Sequence, residues 1–303
     1  MIRARVPATS ANLGPGFDII GTAWNVYNIF ECEKLEEERI EISVEGDPDI
    51  STGKDNAVYI AFKRAFEYKE EEPPKGLKLN IKVSIPTKRG LGSSATAYLG
   101  GLMLANRFLK KPLKRRELLQ LAVELEGHPD NVYPAFFGGI TLAYNREESL
   151  EPYRLRVRGF PAETFILVPP FGVPTEEARR VLPESYSKEE VIFNMRQVSL
   201  LITALEEREP ELLKWAFEDR LHQPYRASLV PGMYDLFREA LEIGAYGGAL
   251  SGAGPSLLFF APLGKGKSIA LKLAKRWEEI IKSPVEIIMT SIDYRGAMVM
   301  EVV

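Results

Sequence analysis

At 303 residues the chain is long enough for two domains or one large one, and 45% apolar with 27% charged residues is the makeup of a soluble globular protein. A formal net charge of −3 gives no global attraction to nucleic acid or an anionic membrane. One cysteine, Cys32, excludes an internal disulfide and any multi-cysteine metal site, and two histidines, His128 and His222, are too few for most zinc chemistry.

The opening "IRARVPAT" alternates polar and apolar residues and predicts a strand, after which "NLGPGFDIIG" supplies a rigid Gly-Pro-Gly turn. "WNVYNIFECEKL" and "RIEISVEG" read as further strands. Helical spacing follows over 56–68, with Ala57, Ile60, Ala61, Ala65 and Phe66 on one side. "LKLNIKVSIP" is a strand ending at Pro86, residues 94–109 form a helix of small apolar residues, "KKPLKRRELLQLAVELEG" a second helix, and "GGITLAYN" a strand. The composition shifts around 150–160, which divides the chain into units 1–155 and 156–303. The second unit opens on the strand "TFILVPP". Helices near 188–207, 210–219 and 231–243 follow, then strands at 248–250 and 256–260, a helix over 267–281, and strands at 285–289 and 297–302. No run approaches a membrane span and the start lacks a long apolar core, so a cytoplasmic setting is expected.

Three glycine-rich stretches compete as anion sites. In "PTKRGLGSSAT" a strand delivers the chain into Gly90 and Gly92, and Ser93 and Ser94 open a helix, whose free amides and dipole suit an anion. A serine there either caps the helix or coordinates Mg²⁺. "APLGKGKS" matches the end of a Walker loop at Gly266, Lys267 and Ser268, but Ala261 replaces its first glycine. "GGALSGAGPS" lacks the third glycine of a dinucleotide fingerprint and reads as a close-packed or ligand-facing loop. Glu124, Glu126, His128, Asp130 and Asn131 gather where a helix ends, a cluster open to structural or metal-binding readings.

Taken in order, "VPATSANLGPGFD", "PTKRGLGSSATA", "EGHPDN" and "LSGAGPSLLFF" resemble the signature motifs of the GHMP kinases, and the first and third resemble their homoserine kinase branch. The resemblance implies an α+β fold: an N-terminal domain like ribosomal protein S5 domain 2, a ferredoxin-like C-terminal domain, and a site in the cleft between them. It implies ATP and Mg²⁺ as cofactors and L-homoserine as the small-molecule substrate, phosphorylated on its δ-hydroxyl. Neither nucleic acid nor membrane is implied as a partner; homodimers are common in the family. The ATP-phosphate loop would be Pro86, Thr87, Lys88, Arg89, Gly90, Leu91, Gly92, Ser93, Ser94, Ala95 and Thr96, with Lys88 and Arg89 adding positive charge. Ser94 and Glu124 would bind Mg²⁺, with Glu126 the other glutamate in reach of that role. Asn12, Asp18, His128 and Asp130 would hold the amino acid, while Arg179 and Arg226 clamp its carboxylate. The resemblance demotes "APLGKGKS" to a surface loop with a solvated Lys267.

Overall fold

The computed structural model describes residues 1–143, 152–157 and 159–301. Its elements in chain order begin with β1 (Ile2–Ala11), β2 (Ile20–Lys34), β3 (Ile40–Glu45), α1 (Ala57–Tyr68), β4 (Leu77–Lys82) and α2 (Ser93–Ala105). Then come α3 (Arg115–Glu126), α4 (Pro129–Phe137), β5 (Ile140–Leu142), β6 (Tyr153–Arg154), β7 (Glu163–Val168), α5 (Thr175–Arg180) and α6 (Lys188–Glu206). The chain closes with α7 (Leu213–Ala216), α8 (Gln223–Arg226), α9 (Met233–Glu242), β8 (Gly247–Leu250), β9 (Leu257–Ala261), α10 (Gly266–Ile281), β10 (Glu286–Thr290) and β11 (Met298–Glu301).

The first sheet runs β11-β1-β2-β4-β3, with β5 on β2 and β6 on β5; β3 and β4 are parallel and the other pairs antiparallel. The second runs β10-β7-β9-β8, all antiparallel. Side chains alternate across a strand, so β9 splits its run between two cores. Leu258 and Phe260 join Trp24, Ile20 and Ile140 of the first sheet in one cluster, while Leu257 and Phe259 join Trp277 and Leu236 under α9 and α10. A third core lies between the first sheet and α1 to α4. Trp24, fully buried against Phe260, is the largest side chain joining the two sheets, and truncating it to alanine should cost about 3–5 kcal/mol.

The expected α+β architecture is present, with local differences that have physical causes. The helix expected over 94–109 runs from Ser93 to Ala105, because Asn106 turns the chain by bonding both the amide and the carbonyl of Leu113. The helix expected over 210–219 is reduced to a short turn and α7. Asp219 instead takes the amides of Leu221, His222 and Gln223 and starts α8. The segment "PDNVYPAFF", read only as a polar cluster, is α4, opened by Pro129 at its first position and Asp130 in its first turn. The second sheet comes wholly from residues after 155, but β11 returns to flank β1, pairing Ile2 with Glu301 and Arg5 with Met298. A unit ending at 303 therefore does not keep its own last strand. The ends of two expected strands, at 144–145 and 302, lie outside the described residues.

Candidate active site

A cleft of about 480 Å³ opens between the two sheets' ends, and the loop 86–94 forms one wall. Gly92 stands at the N-terminus of α2 with φ +66°, and no side chain caps that helix. Its first-turn amides therefore face the loop with no internal partner, an arrangement that favours an anion. A Cβ on Gly92 would sit 1.9 Å from the Thr9 hydroxyl, so glycine is required for space as well as for backbone angle. Thr9 in turn donates to the side-chain oxygen of Asn131 at 2.8 Å, linking β1, the loop and α4. Asn28, buried in β2, anchors the loop's entry by accepting from the amides of Ser84 and Ile85.

The third glycine stretch explains itself against this loop. Ser251 donates to the Gly90 carbonyl at 2.7 Å and shares a 2.6 Å bond with Ser10, while a Cβ on Gly90 would meet the Ser251 carbonyl at 2.0 Å. Gly252, Ala253 and Gly254 line the cleft. Both readings of "GGALSGAGPS", close packing and a ligand-facing loop, thus apply to one segment.

At the other end of the cleft the turn 12–18 is drawn together by Asn12, whose oxygen accepts from the Asp18 amide at 3.0 Å while its amide donates to the Gly252 carbonyl at 2.8 Å. Asn12 and Asp18 both hold left-handed backbone, with φ +72° and +56°. The Asp18 carboxylate faces the Arg179 guanidinium of α5 at 3.0 and 3.4 Å. Arg226, 2% exposed in α8, gives Nε to the Ala178 carbonyl at 3.1 Å and Nη1 to the Gly252 carbonyl at 3.2 Å. Burial, with Arg179 nearby, lowers its pKa to about 10, so it stays a cation at neutral pH. Asp130 is buried at the start of α4, and burial, reinforced by Asp18, pushes its carboxyl up to about 6. Among the described residues, its Oδ1 and the Nε of Arg179 are buried polar atoms without a partner. His128 caps no amide with its side chain; burial and then Arg179 lower its pKa, against the opposing pull of Asp18. Asn12, Asp18, His128, Asp130, Arg179 and Arg226 all line the cleft. The structure thus brings the six expected substrate residues together.

The two glutamates separate clearly. Glu124 lies on the outer face of α3, 44% exposed, where it pairs with Arg64 at 3.4 Å and accepts from Gln120 at 2.9 Å. It does not line the cleft, so the expectation that Glu124 accompanies Ser94 is corrected. Glu126, the last residue of α3, does line the cleft, as does Ser94. Burial pushes its carboxyl up to about 7. Two residues are about 200° of helix, so Glu124 and Glu126 necessarily face opposite ways. A serine hydroxyl and one half-buried carboxylate are hard oxygen donors that fit Mg²⁺, which takes few protein ligands and completes its shell with phosphate and water.

Arg89 lines the cleft as a cation held on the chain's own backbone, with Nε and Nη2 donating to the Pro169 and Pro170 carbonyls at 2.9 and 2.6 Å. It is a strut from the loop to the chain leaving β7. The Walker-like "APLGKGKS" lies away from the cleft, and its Gly264 and Gly266 amides donate to the Glu163 carboxylate at 2.9 and 2.6 Å. An internal carboxylate thus fills the place a phosphate would take there. Sequence reasoning missed Asn28 and gave no role of their own to Asn131 and Ser251, although both lie in stretches it singled out; the role of each depends on contacts across the fold.

Residues 56–139 match the family model described as GHMP kinases N terminal domain, and residues 201–279 that described as GHMP kinases C terminal. The chain is similar to the homoserine kinase of Trichormus variabilis, 40% identical over 98% of each chain. To that of Carboxydothermus hydrogenoformans it is 41% identical over 98% of this chain and 96% of the relative. Among solved structures, the homoserine kinase from Cytophaga hutchinsonii superposes with a TM-score of 0.84 at 27% identity, covering 99% of this chain and 97% of that one. A mevalonate kinase crystal structure at 18% identity and a TM-score of 0.72 shares the fold.

Proposed function

Because this chain belongs to the GHMP kinases, we propose that it transfers the γ-phosphoryl group of ATP to the side-chain hydroxyl of L-homoserine. The products would be O-phospho-L-homoserine and ADP, a cytoplasmic step toward threonine. The observation that carries the substrate reading is the pair of unpartnered buried atoms, Asp130 Oδ1 and Arg179 Nε, set beside Asp18 and Arg226 at one end of the cleft. An amino acid bearing a hydroxyl supplies each with a complement: a carboxylate for the two guanidinium groups, an ammonium for Asp18, and a hydroxyl for Asp130. Guanidinium forks suit the carboxylate because their parallel N–H bonds match its two oxygens.

The nucleotide would lie along the loop 86–96, with its phosphates on the uncapped amides of α2 and its base toward the apolar end formed by Ile50, Val83, Tyr98 and Leu125. Ser94 and Glu126 would hold Mg²⁺, whose chemistry when bound is to neutralise charge on the β- and γ-phosphate oxygens. The rest of the task is alignment, which is most of what phosphoryl transfer requires of a protein. Asp130, ionised above about pH 6, orients the attacking oxygen, while Arg179, Asp18 and Arg226 fix the amino acid's other end. Mevalonate has a carboxylate and a hydroxyl but no ammonium, so it offers Asp18 nothing to replace Arg179 when its carboxylate draws on that guanidinium. The test is ADP release with L-homoserine, L-threonine, L-serine and mevalonate side by side. Homoserine should give the highest kcat/KM by at least tenfold; a preference for mevalonate would refute the amino-acid reading.

A further inference from the structure

His222 is completely buried and is not among the residues lining the cleft; besides the Asp219 carboxylate 3.5 Å from Nε2, its ring's polar contacts lead to the substrate end. Its Nδ1 lies 3.2 Å from Arg226 Nη1, and its Nε2 lies 2.7 Å from the Gly14 carbonyl. A guanidinium can only donate, so Nδ1 must be the acceptor. The one proton of the neutral ring then sits on Nε2 and donates to Gly14, which satisfies both nitrogens in a single tautomer. Burial lowers the ring's pKa against the opposing pull of the Asp219 carboxylate, which favours the neutral ring that the Arg226 contact requires. The ring also stacks on Phe17, with centroids 5.0 Å apart and planes 19° apart, and Phe17 lies 5.3 Å beneath the Arg226 guanidinium. His222 thereby joins α8 to the turn 12–18 that presents Asn12 and Asp18.

Arg226 has three bonds inside the protein, from Nε to Ala178 and from Nη1 to Gly252 and His222. Those bonds fix the plane of the fork, and among the described residues Nη2 takes no partner. We infer that His222 is a positioning residue for the amino-acid substrate, aiming the Arg226 fork and tying it to the turn that carries Asn12 and Asp18. It never touches the ligand; it acts by removing rotational freedom from the group that does. This rests on the homoserine reading of the site. A charged group held in advance loses less freedom on binding, so loss of the restraint should fall on substrate affinity.

Two substitutions separate the two ring nitrogens. His222→Gln places an amide near Nε2 and can keep the Gly14 bond, but offers nothing at Nδ1. His222→Asn places its oxygen near Nδ1 and can keep the acceptor for Arg226. Steady-state kinetics on the full chain should show KM for homoserine rising about tenfold or more in His222→Gln and less than threefold in His222→Asn, with KM for ATP within twofold in both. A purely structural role would raise both KM values together, or move the two variants alike, and either result overturns the proposal. A double-mutant cycle with Arg226→Lys provides a second reading if one variant folds poorly. His222→Gln should add little to the KM already raised by Arg226→Lys, whereas full additivity contradicts action through Arg226. Unaltered protein that turns over no homoserine defeats the substrate reading itself; a normal wild-type rate with an unshifted His222→Gln defeats only this inference.

Discussion

The Asp18 carboxylate and the Arg179 guanidinium meet in a two-point ion pair across the mouth of the cleft, at 3.0 and 3.4 Å. Each partner is about one-third exposed, 39% for Asp18 and 34% for Arg179, so the pair is within reach of an entering ligand. Homoserine carries both complementary charges, and its ammonium and carboxylate can replace the two halves at once. Asp18→Asn and Arg179→Lys should each raise KM for homoserine about ten- to a hundredfold, the worth of a charge-assisted hydrogen bond, while KM for ATP moves less than threefold. Kinetics with each substrate varied in turn checks this. An effect confined to ATP would assign the pair to the phosphates.

The metal assignment gives a ranking of two neighbours. Glu126→Gln should lower kcat about ten- to a thousandfold, because charge developing on the phosphates goes unneutralised. Glu124→Gln removes only an exposed pair with Arg64 and should change activity less than twofold and stability by no more than about 1 kcal/mol. Initial rates over a Mg²⁺ titration distinguish them, and the reverse order would restore Glu124.

Acid should act on activity and on stability in opposite directions. Glu126 titrates near 7 and Asp130 near 6, both raised by burial, and both must be ionised to serve. Activity should therefore fall as pH drops from 7.5 to 5.5, with apparent Mg²⁺ affinity weakening below about 7. A carboxyl whose folded pKa is raised binds protons more tightly in the folded state. Its contribution to stability is thus complete below the unfolded value and lost as pH rises through the folded one. Metal-free protein should show a Tm that declines between about pH 4.5 and 7 more steeply in the wild type than in Glu126→Gln. Equal slopes by thermal melting would mean that Glu126 is not buried as described.

Gly92 and Lys267 test the two phosphate-loop motifs against each other. Gly92→Ala introduces a Cβ 1.9 Å from the Thr9 hydroxyl at φ +66°, and should weaken ATP binding at least tenfold in a folded domain. Lys267→Ala should leave ATP affinity within twofold, as for an ordinary surface residue. Glu163→Ala, which strips the acceptor from the Gly264 and Gly266 amides, should instead destabilise the fold by about 1–3 kcal/mol. ATP titrations with circular dichroism as the folding control decide the matter.

What was legible in the sequence follows from what is local. Alternation in "LKLNIKVSIP" and the glycine-serine turn into α2 are written in neighbouring residues; both are present, though β4 stops at Lys82 rather than running on to Pro86. The six residues expected to hold the substrate, scattered from Asn12 to Arg226, came from a family resemblance rather than from periodicity, and the fold gathers them on one cleft. Glu124 was misassigned although helix geometry held the answer: a residue two places away faces the opposite side, and only packing tells which side is inward. Arg89 and Glu163 were beyond sequence reasoning because their partners, the Pro169 and Pro170 carbonyls and the Gly264 and Gly266 amides, lie about 80 to 100 positions away. The same holds for His222, which sequence reading counted only as one of two histidines, too few for most zinc chemistry.

The most direct test of the central claim is a phosphorus NMR spectrum of the full chain with ATP, Mg²⁺ and L-homoserine. Transfer to the side-chain hydroxyl places phosphorus next to a single methylene. The expected result is a new phosphomonoester resonance split into a triplet by two equivalent protons, growing in step with ADP. Inorganic phosphate as the only new signal, with no ester formed, would contradict the account.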